Sequence, residues 1–354
     1  MTRTVGIVGA GVMGAGIAQV VLEAGDMVAL FDPDAAALDR ARGRIRDGLT
    51  RRGTKLRHAD GALTSWTTER LARLASAPSV GSVATGADVV IEAALEDLEA
   101  KQTLFRALDA VALPDTILAT NTSALRIGDV ASATARPERV LGLHWFNPAP
   151  LMALVEVVAT DLTDPAVVER ATALVRAWGK TPIRSADTPG FIVNRVNRPF
   201  TIEALRLLEA GAADITTIDA AMRGAGFPMG PFELMDLAGL DVNLAAARGV
   251  WEGLGRPDHL RPSPIQKRLV AAGHLGRKTG EGFYRYEADG TRHPHESFAP
   301  EAGHGRVEAA TIVARITAAI DAEAVRAAAD GVANRDDIDL ALRLGAGHPL
   351  RSTP

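Results

Sequence analysis

The 354-residue sequence has no cysteine, and that one absence removes disulfides, thiolate nucleophiles and zinc–thiolate sites together. No metal site is expected. Lysine is scarce: only five of the 39 basic residues are lysines, so each stands out against an alanine- and arginine-rich background. No apolar run approaches the length of a membrane span, and the first residues already read as a strand, leaving no room for a signal peptide. A cytoplasmic location is expected. A net charge of only -4 gives no electrostatic case for nucleic acid or an anionic membrane as partner. With 47% hydrophobic residues and a mean hydropathy of +0.07, the chain can bury a large core and fill two or three domains.

What is present begins with a strand entering a glycine loop. Thr4-Val-Gly-Ile-Val8 is short, branched and buried in character, and it passes directly into Gly9-Ala10-Gly11-Val12-Met13-Gly14, after which Ala15 to Ala24 reads as a helix. In that context Gly9 permits the tight turn, Gly11 admits a pyrophosphate to the backbone, and Gly14 lets helix and strand pack closely. The helix start turns its N–H groups toward the phosphates. The plainer alternative is a glycine turn that serves packing alone. A second strand, Met27 to Phe31, ends at Asp32, where an acid can bind both ribose hydroxyls and repel a 2′-phosphate, so NAD is favoured over NADP.

From Val5 to Glu156 apolar strands alternate with helices: Val5–Val8, Val28–Phe31, Asp88–Glu92, Ile117–Thr120, Val140–Phe146 and Val155–Val158. This order predicts an α/β fold, a Rossmann-type doubly wound, mostly parallel sheet, with Gly9, Asp32, Ala93 to Glu96, Asn121 to Ser123 and His144 gathered at one edge. Residues 142–158 add a second signal. Two apolar runs joined by Asn147-Pro-Ala-Pro150 carry His144 and Glu156, which an antiparallel pairing brings near each other. A carboxylate on one imidazole nitrogen fixes the tautomer and supports the charge that develops when the other nitrogen takes a proton. Taken alone, the pair is equally a surface contact of a hairpin.

Residues 41–74 interrupt the alternation with a polar helical excursion bearing Arg51, Arg52, Lys55 and Arg57, either a solvated helical hairpin or a phosphate-binding arm. After Thr188-Pro-Gly190 the pattern turns helical, with Pro199 expected to kink the first helix and Pro231 to sit at the first position of another. An all-helical C-terminal domain is predicted to about Tyr286. Shifted by 120 positions, Ile192-Val-Asn-Arg195 meets Ile312-Val-Ala-Arg315, Glu203-Ala204 meets Glu323-Ala324, and Ile218-Asp219 meets Ile338-Asp339, an internal repeat. The organisation expected is 1–188 for the dinucleotide domain, 189–286 for the helical domain and 300–354 for its partial copy. The copy has Ala314 in place of Asn194, so it supplies packing rather than chemistry.

Together these segments resemble the L-3-hydroxyacyl-CoA dehydrogenase family. The resemblance is carried by Gly9 to Gly14, Ile91 to Lys101, Asn121-Thr-Ser-Ala-Leu125, the 142–158 hairpin, Asp187 to Arg195, Phe227 to Leu234 and Gly276 to Tyr284. It implies NAD-dependent oxidation of a short 3-hydroxyacyl-CoA, such as a 3-hydroxybutyryl group, to the 3-oxo thioester, with His144 as base, Glu156 as its orienting acid, and Ser123 and Asn194 on the substrate oxygen. It implies cofactor contacts at Gly9, Ala10, Gly11, Val12, Met13, Gly14, Asp32, Ala93, Glu96, Lys101, Asn121, Ser123, Asn147 and Lys278. From the residues alone, Glu96 and Lys101 also read as a helix-surface charge pair, and Asn194 as a helix cap. Lys278 has no evident structural need for its ammonium.

Two departures stand out. Where the family carries Lys-Gly-Lys near the 3′-phosphate end of CoA, the local match is Asp60-Gly-Ala-Leu-Thr64, without lysine. Arg51, Arg52 and Lys55 are therefore candidate substrate-binding residues, either replacing those lysines or facing an acidic acyl carrier protein. Trp145 stands where phenylalanine is usual and is expected to narrow the pocket beside the base. Alternatives to the CoA reading are a dehydrogenase acting on a carrier-bound hydroxyacyl group and a non-catalytic NAD-binding sensor. The 6-phosphogluconate type of dehydrogenase would need a lysine where Asn194-Arg195 stands. The repeat leaves a homodimer and a pseudo-dimeric monomer both open.

Overall fold

Val5, Ile7, Val89, Val90, Ile91, Ile117 and Leu118 are all buried, and strands covered on both faces belong at the centre of a parallel sheet. The computed structural model describes residues 2–298 and 307–349 and divides into two units, Met1–Asp187 and Thr188–Pro354. The first unit holds β1 (Thr4–Val8), β2 (Met27–Phe31), β3 (Leu74–Ser76), β4 (Val89–Glu92), β5 (Ile117–Thr120), β6 (Val140–Trp145), β7 (Leu154–Ala159) and β8 (Thr181–Ala186). They form one eight-stranded sheet in the order β3-β2-β1-β4-β5-β6-β7-β8. β1 to β6 run parallel, β6 meets β7 antiparallel, and β8 lies parallel to β7. The expected alternation is thus observed, with β3 and β8 added at the two edges.

The helices are α1 (Val12–Glu23), α2 (Ala35–Lys55), α3 (Asp60–Leu71), α4 (Val80–Ala84), α5 (Leu98–Val111), α6 (Ile127–Ala131) and α7 (Pro165–Ala177). Side-chain caps start four of them: Asp34 accepts from the Ala36 amide at 2.9 Å, Ser79 from Ser82 at 3.2 Å, Asp97 from Ala100 at 2.8 Å and Asp164 from Ala166 at 2.8 Å. α1 differs. It begins after Gly11 with no side-chain cap and no acid in its first turn. The 41–74 excursion is the helical hairpin of α2 and α3, sealed where Gly53 approaches Leu63 and Trp66.

The second unit contains α8 (Val193–Val196), α9 (Arg198–Glu209), α10 (Ile215–Gly224), α11 (Pro231–Ala238), α12 (Leu240–Gly253) and α13 (Pro264–Ala271). β9 (Tyr284–Tyr286) and β10 (Arg292–Pro294) follow as an antiparallel pair, then α14 (Ala309–Ala329) and α15 (Arg335–Ala346). The helix after Gly190 breaks at Asn197, just before Pro199, and Pro231 is the first residue of α11, both as the proline positions predict. The unit is not wholly helical, because the segment from Tyr284 closes as a hairpin. Two buried acids hold it: Asp219 accepts from the amides of Phe232 and Glu233 and from the Tyr284 hydroxyl, and Asp236 accepts from the amides of Phe283 and Tyr284. A Cβ at Gly282 would lie 2.2 Å from Asp236 Oδ1, which explains the glycine there.

α14 packs on α8, α9 and α10 through Ile312, Ile316 and Ile320. Positions 120 apart exchange partners: Arg195 Nε donates to Glu323 at 2.8 Å, and Arg315 Nε donates to Glu203 at 3.1 Å. The same reciprocity joins the Phe227 and His348 rings, and Pro228 with Gly347. Residues 300–306 and 350–354 of the expected copy lie outside the described residues.

Burial pushes Asp219 up to about 7 from an ordinary 3.8, outweighing the donors that favour its charge. Because the folded value exceeds the unfolded one, the folded protein holds an extra proton between these pH values. The stability contributed is present at low pH and lost as pH rises through about 7. Asp219→Asn is expected to lower stability by a constant offset and to remove that slope. Urea unfolding of both proteins at pH 5 and pH 8 checks this, and parallel pH profiles would contradict it.

Candidate functional site

The carboxyl ends of β1, β2, β4, β5 and β6 share one edge of the sheet. There Gly9, at φ 102°, turns the chain so tightly that a Cβ would meet the Ala93 carbonyl at 2.5 Å, and a Cβ at Gly14 would fall 1.8 Å from the Gly9 oxygen. Gly11 is the opposite case: a Cβ there would meet nothing within 4 Å. Asp32 ties the loop to β2, one carboxylate oxygen accepting from the Ala10 amide at 2.8 Å and the other from Asp34 at 2.9 Å. The uncapped start of α1, the open space over Gly11 and the exposed apolar side chains of Val12 and Leu95 fit a dinucleotide, with the pyrophosphate on the helix N-terminus.

Glu92 closes β4 and is wholly buried. Its carboxylate accepts from Lys101 Nζ at 2.6 Å, from the Ala94 amide at 2.6 Å and from the Thr120 hydroxyl at 2.6 Å. Lys101, 2% exposed, also stands 3.3 Å from Glu96. The pair expected on a helix surface is therefore interior, because α5 lays Lys101 down onto the end of β4. Glu96 Oε1 accepts from the Thr122 hydroxyl at 2.6 Å and from the amides of Ser123 and Ala124 at 3.0 and 3.2 Å, so it shapes the loop that presents Ser123. Asn121 Oδ1 accepts from the Trp145 amide at 2.8 Å, joining that loop to β6. Glu92 was not among the residues singled out from sequence. Its signal is an acid ending an all-apolar strand, a place where a charge must find partners.

His144 and Glu156 face each other in register across β6 and β7, and His144 Nδ1 lies 2.5 Å from Glu156 Oε2. His144 is 5% exposed and Glu156 0%, so the contact is no surface pair. Strand alternation sends Trp145 the other way, into the core beside Trp178 with ring centroids 5.9 Å apart. It fills the core rather than narrowing a pocket beside the base. The turn after Asn147 is clasped by Lys180, whose ammonium donates to the carbonyls of Ala149, Pro150 and Met152 at 2.7, 3.3 and 2.7 Å. Ala149 and Pro150 also lie where a Cβ on Gly16 of α1 would touch them at 3.2 Å. The hairpin that carries the dyad thus rests on the helix that follows the glycine loop. Lys180 also went unremarked in the sequence, though the scarcity of lysine was the available clue.

The arm residues Arg51 and Lys55 are exposed, and Arg52 stands 3.5 Å from Glu23. In the second unit, Asn194 lies inside α8 and is not its N-cap residue, which is Ile192. Lys278 has the partner that the sequence did not reveal, Asp241, at 2.6 and 2.7 Å. His274, Glu281 and His295 bring ligand-type atoms within 4.8 Å of one another. Glu281 itself joins both imidazoles at 2.9 and 3.2 Å, and the Ser297 amide donates to His295 Nδ1, which puts the ring proton on Nε2 facing Glu281. The arrangement suits a hydrogen-bonded ion cluster better than a metal.

The family model described as "3-hydroxyacyl-CoA dehydrogenase, NAD binding domain" matches residues 4–188, and that described as "3-hydroxyacyl-CoA dehydrogenase, C-terminal domain" matches 190–286 and again 312–352. The chain belongs to the 3-hydroxyacyl-CoA dehydrogenase family. As a member it is an NAD-dependent oxidoreductase that interconverts 3-hydroxyacyl-CoA and 3-oxoacyl-CoA by hydride transfer. It is 47% identical to a 3-hydroxyadipyl-CoA dehydrogenase of Escherichia coli over 84% of this chain and 63% of that longer relative. It is 41% identical to a 3-hydroxybutyryl-CoA dehydrogenase of Mycobacterium tuberculosis over 80% of this chain and 98% of the relative. A crystal structure of an Escherichia coli 3-hydroxybutyryl-CoA dehydrogenase superposes with a TM-score of 0.86 at 36% identity, covering 99% of this chain and 90% of that one. No described helix is long and apolar enough to cross a membrane.

Lys180→Met leaves the Ala149–Met152 turn without its donor. The expected cost is about 1–3 kcal/mol in urea unfolding; a variant as stable as its parent would show the clasp to be idle.

Proposed function

We propose that His144 is the proton acceptor of the family reaction in this chain and Glu156 the group that orients it. The observation that carries this is the buried, in-register contact of 2.5 Å between them. With Nδ1 committed to the carboxylate, proton transfer falls to Nε2, which removes the 3-hydroxyl proton as the C3–H bond breaks, and Glu156 stabilises the imidazolium that results. Bound along the glycine loop, NAD supplies the acceptor for the C3 hydride. Ser123 and Asn194 are assigned to the substrate oxygen, where a donor stabilises charge as the oxygen changes state. Asp32 takes the adenosine ribose, and Glu96 and Lys101 act on the cofactor side through the Ser123 loop they shape. Ala93, Asn121, Asn147 and Lys278 complete the cofactor contacts.

The substrate is a short acyl thioester of CoA, the carrier in the names of both relatives. Neither the carrier-protein reading nor a non-catalytic sensor gains support from them. Arg51, Arg52 and Lys55 take the place of the missing lysines at the phosphate end. We place the activity in the cytoplasm. The reciprocal contacts of α14 with α8 and α9 favour a pseudo-dimeric monomer, in which the partial copy covers the face that a second subunit would cover.

His144→Gln is expected to lower kcat by about 10²–10⁴-fold while NADH affinity changes little. Steady-state assays with acetoacetyl-CoA and NADH titrations check this; equal losses in both would contradict the base assignment. Truncation after residue 306 is expected to convert a monomer into dimers or aggregates in light scattering, and an unchanged soluble monomer would reject the covering role.

A further inference from the structure

α8 is a single turn closed by two backbone bonds, Val196 to Ile192 at 2.8 Å and Asn197 to Val193 at 3.0 Å. A turn so short has little stability of its own and takes its direction from what it packs against. Its entry is strained. Gly190 has φ 79° and Phe191 φ 48°, a left-handed conformation that a bulky residue keeps only where its surroundings over-determine it. Asn194, assigned above to the substrate oxygen, belongs to this turn. Whatever holds α8 therefore also sets where that side chain starts.

The partial copy holds α8 at two points just beyond Asn194. Arg195, 3% exposed, donates from Nε to Glu323 at 2.8 Å and from Nη2 to Asp330 at 2.5 Å. Asn197 Oδ1 lies 2.8 Å from His348 Nε2. Glu323 is wholly buried and is itself fixed, by His259 Nε2 at 2.8 Å and by Arg326 Nη1 at 3.2 Å. A buried ion pair adds little net stability over an apolar replacement, but its bonds are directional, so what it contributes here is geometry.

The two halves of the repeat are not held alike. Arg315, the counterpart of Arg195, meets one acid, Glu203, among the described residues, and its side chain is 45% exposed. Asp330, the second acid on Arg195, corresponds to Ala210 in the first copy. The tight, two-acid clamp thus falls on the turn that carries the asparagine, and the looser one on the stretch of α14 where Ala314 replaces it. Packing alone asks for no such difference.

We propose that Glu323, with Asp330 beside it, is a positioning residue of the dehydrogenase: through Arg195 it fixes α8 and so holds Asn194 in place for the substrate oxygen. The partial copy is then part of the scaffold of the active site as well as a cover for a helical face. The inference rests on the role proposed for Asn194.

The experiment follows NADH consumption with acetoacetyl-CoA on the full-length protein. Glu323→Gln is expected to lower kcat by about tenfold to a hundredfold with NADH affinity unchanged, the scale on which misplacing one positioned group acts. Asp330→Asn, at a carboxylate 55% exposed, should act in the same sense by about threefold. The deciding measurement is a double-mutant cycle. Asn194→Ala alone should cost about a hundredfold, and adding either acid substitution to it should cost nothing more, since a group that acts through Asn194 has nothing left to position. Losses that multiply overturn the proposal. Ile316→Ala thins the same interface and leaves the ion pairs in place; it should lower the melting temperature and keep kcat within about twofold. If instead it loses kcat as Glu323→Gln does at a matched melting temperature, the effect is one of stability and the proposal falls. Should Asn194→Ala lose activity while both acid variants keep it, this inference alone fails. A fully active Asn194→Ala defeats the Asn194 assignment and the inference together.

Discussion

The catalytic edge of the sheet depends on one buried ion pair, Glu92 with Lys101. Both charges are out of water, and breaking such a pair by removing one partner typically costs about 3–5 kcal/mol because the other charge is stranded. Its geometric consequences exceed its energy. Glu92 fixes the end of β4 to Thr120 at the end of β5, and Lys101 draws the first turns of α5 onto the sheet. The second carboxylate beside Lys101, that of Glu96, then has one orientation, and from it the backbone of Ser123 and Ala124 hangs. Asn121 carries the chain of contacts on to the Trp145 amide, one residue from His144. A charged pair that contributes little net stability thus sets the relative positions of three strand ends.

What the sequence made legible was periodic or punctuated. Alternating apolar runs and the Gly9–Gly14 turn locate the central strands, and the two runs of the 142–158 hairpin foretell the register that puts His144 opposite Glu156. The missed elements lack such a signal. β3 has three residues, of which only Leu74 is buried, and β8 carries Pro182, which an edge strand tolerates because it has no neighbour on one side to receive an N–H. What the sequence hid were distant partners: Lys180 went unremarked, and Lys278 was singled out without its acid. Lys180 meets carbonyls some thirty residues back in the chain, and Lys278 meets Asp241 across 37 positions. Trp145 was misjudged for a different reason. The substitution was read as a change next to the base, whereas strand alternation puts neighbours in sequence on opposite faces.

The second unit makes a comparable point about symmetry. A two-fold interface is recognised when residue i of one copy meets j of the other and j meets i. Arg195 with Glu323 and Arg315 with Glu203 satisfy that relation within one chain, as do the contacts of Phe227 with His348 and Pro228 with Gly347. Reciprocity survives in the packing residues although Ala314 has replaced the asparagine. The copy therefore keeps its contact face and not the polar group of the original. An interface that needs only shape and ion-pair complementarity retains these and sheds the polar group whose function was elsewhere.

Several of the chain's most buried cations are consumed in folding. Lys101, Lys180 and Arg195 each have protein acceptors, and their placement explains why so few lysines suffice to rivet a large α/β unit. One positive feature left for a ligand is the start of α1, uncapped and without an acid in its first turn. An uncapped helix start at a solvent-facing edge costs little, since water can solvate its N–H groups.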